Sequence, residues 1–165
     1  MKQGQPRQPV ARKDYQPYPW NLDTVELNFD IRDGYTEIVT SMSFQARSGK
    51  PGPLQLYGSN LELIGLFVND SALDDSAFSI EGETLTIAEV PAECMIRTVV
   101  RINPAENLAL EGLYQSGDFL LTQCEPEGFR KITWFPDRPD VMTRYSVRME
   151  ADQATFPVLL SNGNP

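Results

Sequence analysis

Histidine is absent from all 165 residues. Its absence removes the commonest general base and the commonest zinc ligand at once. Cysteine occurs only twice, at Cys94 and Cys124. The two are far enough apart to pair, but a chain this poor in cysteine lacks the density of a secreted disulfide scaffold, which points to reduced thiols. Basic residues are outnumbered, 14 against 23 acidic, for a net charge of -9. An anionic chain repels phosphate backbones and anionic lipid surfaces, so neither nucleic acid nor a membrane is expected as a partner. No apolar run approaches a membrane span, and Met1 to Gln8 lacks the apolar centre of a signal peptide. A soluble cytoplasmic protein is expected.

What is present is enough for one domain with a real core: 165 residues, 41% of them apolar. Period-two alternation dominates. Val25, Leu27, Phe29 and Ile31 fall on one face, and Ile38, Thr40, Met42 and Phe44 on the next, with the turn pair Asp33-Gly34 between them. Further strands are expected at Leu54 to Tyr57, Leu61 to Val68, Phe78 to Ile80, Leu85 to Ile87, Cys94 to Ile102, Phe119 to Thr122, Ile132 to Phe135 and Tyr145 to Met149. With 13 prolines and 11 glycines as punctuation, the pattern predicts an all-β chain, an antiparallel sandwich or open barrel with little helix. At most Pro139 to Thr143 makes one helical turn. Residues 1–13, polar and basic, are expected to be disordered until Tyr15 and Trp20 anchor the chain. Asp70 to Glu93 holds seven acids and no base, the mark of a solvated hairpin face rather than a cation site, because its acids do not converge.

The segment Asn107 to Arg130 sets acids and amides amid apolar residues like one wall of a binding site. In Gln123-Cys124-Glu125, strand alternation turns Gln123 and Glu125 to one side and Cys124 to the other. A carboxylate beside an amide suits a ligand's ammonium group. Glu125-Pro126-Glu127 is not a hydrolytic pair, since nothing tunes the two carboxylates apart. Glu127 is assigned instead to an ion pair with Arg130 or Lys131, and Pro126 holds Glu125 to extended backbone angles. Cys124 has no histidine to activate it and reads as a small buried hydrophobe. Asp137-Arg138-Pro139-Asp140 reads as a scaffold turn, with Asp137 or Asp140 as a cap and Arg138 in an ion pair. Trp20 and Trp134 read as core or interdomain packing.

Three strings carry a resemblance: Leu110-Glu111-Gly112-Leu113-Tyr114-Gln115-Ser116-Gly117, Thr122-Gln123-Cys124-Glu125-Pro126-Glu127-Gly128-Phe129-Arg130, and Asp137-Arg138-Pro139-Asp140-Val141. Asp14-Tyr15, Leu27-Asn28-Phe29-Asp30 and Leu159 to Asn164 add collinear matches. Together these resemble the N-terminal domain of bacterial zinc aminopeptidases of the M1 family, over about residues 14–165. The resemblance implies a saddle-like β domain over 14–165 that is a fragment of a longer enzyme. The family's Gly-x-Met-Glu-Asn and His-Glu-x-x-His motifs belong to a catalytic domain not contained here, and further β-structure of the same domain is expected after Leu159-Leu160, so that a strand edge stands open. It implies that Glu125 helps hold the free α-amine of a peptide substrate and that Gln123 lines the pocket for the first side chain. No catalytic residue, and no ligand to the parent enzyme's zinc, is expected in this chain. Its partners would be the substrate's N-terminus and its own catalytic domain. The alternative is a stand-alone β-sandwich module that binds protein or glycan without catalysis.

Overall fold

A two-residue turn closes the longest hairpin. In the computed structural model, which describes residues 11–164, β1 (Trp20–Arg32) and β2 (Tyr35–Ala46) pair antiparallel from Arg32↔Tyr35 back to Trp20↔Ala46. Gly34 takes φ +78°, a left-handed value that glycine reaches without steric cost. Trp20 and Leu22 are buried, as are Val25, Leu27 and Ile31, although the first pair is even-numbered and the others odd. A bulge between Leu22 and Thr24 supplies the extra residue that keeps both sets on the core face.

The remaining strands are β3 (Leu54–Tyr57), β4 (Glu62–Val68), β5 (Ser71–Ala72), β6 (Phe78–Glu81), β7 (Thr84–Ile87), β8 (Glu93–Ile102), β9 (Gly112–Ser116), β10 (Phe119–Gln123) and β11 (Arg144–Ala151). They form a six-stranded sheet in the order β11-β1-β2-β8-β4-β5, a three-stranded sheet β3-β7-β6 and a two-stranded sheet β10-β9. Every pairing is antiparallel except β1 with β11, which is parallel. Alternation marks which face of a strand is apolar but not the direction of its neighbour, so this exception to the expected antiparallel architecture had no signature. The fold is all-β. Helical structure among the described residues is confined to short 3-10 turns, including Arg12–Asp14, which spans the end of the head expected to be disordered; residues 1–10 of that head and residue 165 lie outside the described residues.

One core joins the three sheets. Ile38, Met42, Ile96 and Val100 from the large sheet, Leu54, Leu56, Leu85 and Ile87 from the small one, and Leu113 from β9 belong to a single buried cluster. Trp20 meets Phe44 edge-on at 6.4 Å, and its indole N–H donates to the Pro53 carbonyl at 3.0 Å. Ile132 to Phe135, expected as a strand, is fully buried irregular chain whose one ladder contact is the Tyr57↔Phe135 bridge. A short apolar run reads alike whether it lies in a sheet or is packed as a coil. Trp134 lies over Gly58 so closely that a Cβ there would sit 2.5 Å from the indole ring. Pro139 and Asp140 sit in a turn closed by Val141 N–H to the Arg138 carbonyl at 3.2 Å, rather than in a helical turn.

Candidate functional site

The wall anticipated between Asn107 and Arg130 is the β9–β10 hairpin with the loop that follows it. The Asn107 side chain braces its entry, donating to the carbonyls of Glu111 at 2.7 Å and Leu113 at 2.9 Å. The tip is Gly117-Asp118, between the paired residues Ser116 and Phe119. The ladder ends at Gly112↔Gln123. Leu113 is buried and Leu120 packs against the core, so the opposite face, carrying Phe119, Leu121 and Gln123, points away from it.

Beyond Gln123 the chain turns sharply. The Gly128 N–H donates to the Cys124 carbonyl at 2.8 Å, and the Glu125–Pro126 peptide bond is cis. A Cβ on Gly128 would lie 2.6 Å from the Gln123 carbonyl oxygen, 3.0 Å from Cys124 Cα and 3.2 Å from the Gly112 nitrogen. Gly112, at φ +73°, has the same intolerance: its Cβ would meet Lys131 Cβ at 2.7 Å. Backbone therefore packs on backbone directly beneath Gln123 and Cys124. A 3-10 turn, Phe129–Lys131, then leads into the buried coil.

Strand alternation stops at Gln123, so Gln123 and Glu125 are not brought together as neighbours on one strand face. They are joined instead by a hydrogen bond from Gln123 Nε2 to the Glu125 main-chain oxygen at 3.0 Å. Both side chains are exposed. The carboxylates around them are engaged: Glu127 with Arg130 at 3.5 Å, Glu111 with Lys131 at 3.8 Å, and Asp137 with Arg130 at 3.1 Å. The Glu125 carboxylate has no hydrogen bond or ion pair among the described residues. It is the acid of this loop left free to meet a cation from outside.

Cys124 is half-buried, and burial raises its thiol pKa, with the Asp137 and Glu125 carboxylates adding to the shift. The thiolate is thus disfavoured, which argues against a nucleophile. Cys94 is buried and its pKa is pushed up to about 11 by the same cause. The two cysteines are unpaired. The donor set does not fit zinc. Histidine is missing throughout, and among the described residues no three of Cys, Asp and Glu converge. Two shallow clefts, of about 480 and 490 Å³, lie near the hairpin, the first against Asn107, Leu113 and Lys131 and the second against Gln115 and Leu120. Neither is lined by Gln123 or Glu125.

Three features escaped the sequence reading. The brace at Asn107 has only the general turn preference of asparagine as its signal. The outward turn of Phe119 and Leu121 is legible only once Leu113 and Leu120 are known to face the core. The contact of Gly112 with Gly128 joins residues sixteen apart, and two isolated glycines announce nothing of the kind.

No family model matches the chain. The fold is that of the N-terminal region of M1 zinc metallopeptidases. An M1 zinc metallopeptidase from Deinococcus radiodurans superposes with a TM-score of 0.65 over 79% of this chain and 32% of its own, at 13% identity, a likeness of fold alone. Legionella pneumophila aminopeptidase A, solved in complex with aspartic acid, reaches a TM-score of 0.84 at 29% identity, over 92% of this chain and 18% of its own. In sequence the match narrows to aminopeptidase N: that of Caulobacter vibrioides is 47% identical over 158 residues, 96% of this chain and 18% of the relative. The chain corresponds to the N-terminal region of the aminopeptidase N proteins and spans about a fifth of their length. No described helix is long and apolar enough to cross a membrane.

Proposed function

We propose that this chain is the substrate-capping region of a zinc-dependent aminopeptidase acting in the cytoplasm, and that it recognises the free amine of a peptide rather than performing the hydrolysis. The zinc, bound by residues elsewhere in the longer polypeptide, would supply the activated water and polarise the scissile carbonyl. This chain's own part is positional. The Glu125 carboxylate accepts hydrogen bonds from the substrate's α-ammonium group, which fixes the N-terminus and so counts the substrate from its first residue. Gln123, tethered to the Glu125 main chain, stands beside the first side chain. The observation that carries this reading is the unpaired Glu125 carboxylate, held on a loop whose other acids are engaged, in a chain 47% identical to an aminopeptidase N.

The test is Glu125→Gln in the intact enzyme. Gln keeps the shape and one acceptor and drops the charge. With the contact desolvated by a closed cleft, the loss is about 2 to 4 kcal/mol in kcat/KM, about thirty- to a thousandfold. A peptide with a blocked N-terminus is the control, since it has no ammonium group to lose and should be equally poor with both proteins. Near-normal kcat/KM on free-amine substrates, with folding and zinc content intact, would overturn the assignment.

A further inference from the structure

We propose that the cleft of about 480 Å³ beside Asn107 is a second small-molecule site, one that takes a free α-amino acid with an apolar side chain. The site stands independently of the reading above, since neither Gln123 nor Glu125 lines this cleft.

The cleft collects polar groups that the fold leaves unused. Ser59 lines it and is only 9% exposed, yet its hydroxyl has no hydrogen-bond partner among the described residues. Nor is that oxygen one of the sealed orphan atoms, which belong to Asp30, Thr36, Arg101 and Trp134, so what little of Ser59 is open faces the cleft. A polar group held almost closed without a protein partner is left for water or a ligand. Lys131 lines the same cleft, its side chain 17% exposed. The acid it approaches, Glu111, stands at 3.8 Å, too far for a hydrogen bond, so the three ammonium donors stay free. Glu106, exposed on the cleft's lining, adds a carboxylate with no partner among the described residues.

These groups specify the ligand. A lone anion would meet Glu106 and a lone cation would meet Lys131, so the two together suit a molecule that carries both charges close to each other. In an α-amino acid the carboxylate accepts from Lys131 Nζ and Ser59 Oγ, and the ammonium group donates to Glu106. The rest of the lining is largely apolar: Ile102 and Leu113 are buried beneath, and Leu108 stands 88% exposed. An apolar side chain on the ligand would cover Leu108 and gain by that burial. The volume falls within the range of small-molecule pockets.

The experiment is calorimetric titration of L-leucine into the intact protein carrying Glu125→Gln, which silences amine recognition at the Glu125 loop. The cleft predicts saturable binding that survives Glu125→Gln, weakens about tenfold when Lys131→Gln is added, and weakens about fivefold with Ser59→Ala instead. N-acetyl-leucine and leucinol, each lacking one of the two charges, should bind at least about tenfold more weakly than leucine. Ser59→Ala removes one hydroxyl and no packing, so it still reports on the cleft if Lys131→Gln fails to fold. No saturable binding, or binding that neither cleft substitution weakens, overturns the proposal. The kcat/KM of Glu125→Gln on free-amine substrates tests the Glu125 assignment separately. Normal turnover there, with leucine binding that depends on Lys131, removes that assignment and leaves the cleft; impaired turnover without such binding removes the cleft alone.

Discussion

Arg130 and Asp137 are joined at three points: the Arg130 main-chain N–H and its Nε both donate to Asp137 Oδ2 at 3.1 Å, and Nη2 donates to the Asp137 carbonyl at 3.2 Å. Both side chains are largely shielded, at 16% and 12% exposure. The clamp ties the end of the Glu125 loop to the turn beyond the buried coil. Arg130 also approaches Glu127 at 3.5 Å and Glu83 at 3.8 Å, and its guanidinium lies 5.3 Å from the centre of the Tyr57 ring.

Asp137→Ala should therefore destabilise the protein by about 2 to 4 kcal/mol, because it strands a main-chain donor and leaves a shielded guanidinium with only its longer approaches to Glu127 and Glu83. Urea unfolding checks this. A double-mutant cycle with Arg130→Ala should give a coupling of about 1 to 3 kcal/mol. A loss within about 1 kcal/mol would mean that the pair behaves as an ordinary surface contact.

A second prediction concerns acid. Hydrogen bonds from Arg138 hold the Asp140 carboxyl well below the usual carboxylate range, helped by the Tyr15 hydroxyl at 2.8 Å and the Tyr18 N–H at 3.3 Å. Its pKa is depressed on folding, so its contribution to stability is fully present above the unfolded value of about 4 and is lost as pH falls towards the folded value. Asp140→Asn should cost about 1 to 3 kcal/mol at pH 7. Measured from neutral pH downwards, the stability gap between variant and wild type should be constant to about pH 4 and then narrow progressively as pH falls further towards the folded value. A constant gap across that range would exclude Asp140 as the titrating group.

The third prediction turns on a buried hydroxyl triad. Thr40 Oγ1 donates to Thr133 Oγ1 at 2.9 Å, and Thr98 Oγ1 lies 3.1 Å from the same atom, with all three residues fully buried. Thr133→Val should cost about 1 to 3 kcal/mol by leaving polar partners unsatisfied, whereas replacing all three by Val should recover most of that loss. Thermal or urea unfolding of the single and triple variants distinguishes this non-additive pattern from simple side-chain loss.

The long hairpin was legible because its signals agree: alternation on both strands and an Asp-Gly turn that accepts positive φ. β8 was equally plain. The bulge in β1 was hidden because either half of the strand alternates correctly and only the phase changes between them. Ile132 to Phe135 misled because burial on every side erases the contrast on which periodicity depends. At the site, the residue types in Gln123-Cys124-Glu125 were readable, yet the turn after Gln123 breaks the alternation used to orient them. That Glu125 stands unpaired is a fact about Arg130 and Lys131, whose charges are taken up by Glu127, Asp137 and Glu111. No local pattern could report that allocation.

The contact of Gly112 with Gly128 beneath Gln123 is made by main chain, with Lys131 Cβ the one side-chain atom among the nearest neighbours of either glycine, so the platform under the exposed pair depends little on side-chain identity. The Glu125 carboxylate that would touch a ligand and the main-chain atoms beneath it are thereby separated. Glu125 is open to substitution without disturbing what it stands on, whereas Gln123 also ties the Glu125 main chain through its Nε2, so exchange at 125 can change specificity while exchange at 123 also loosens the loop.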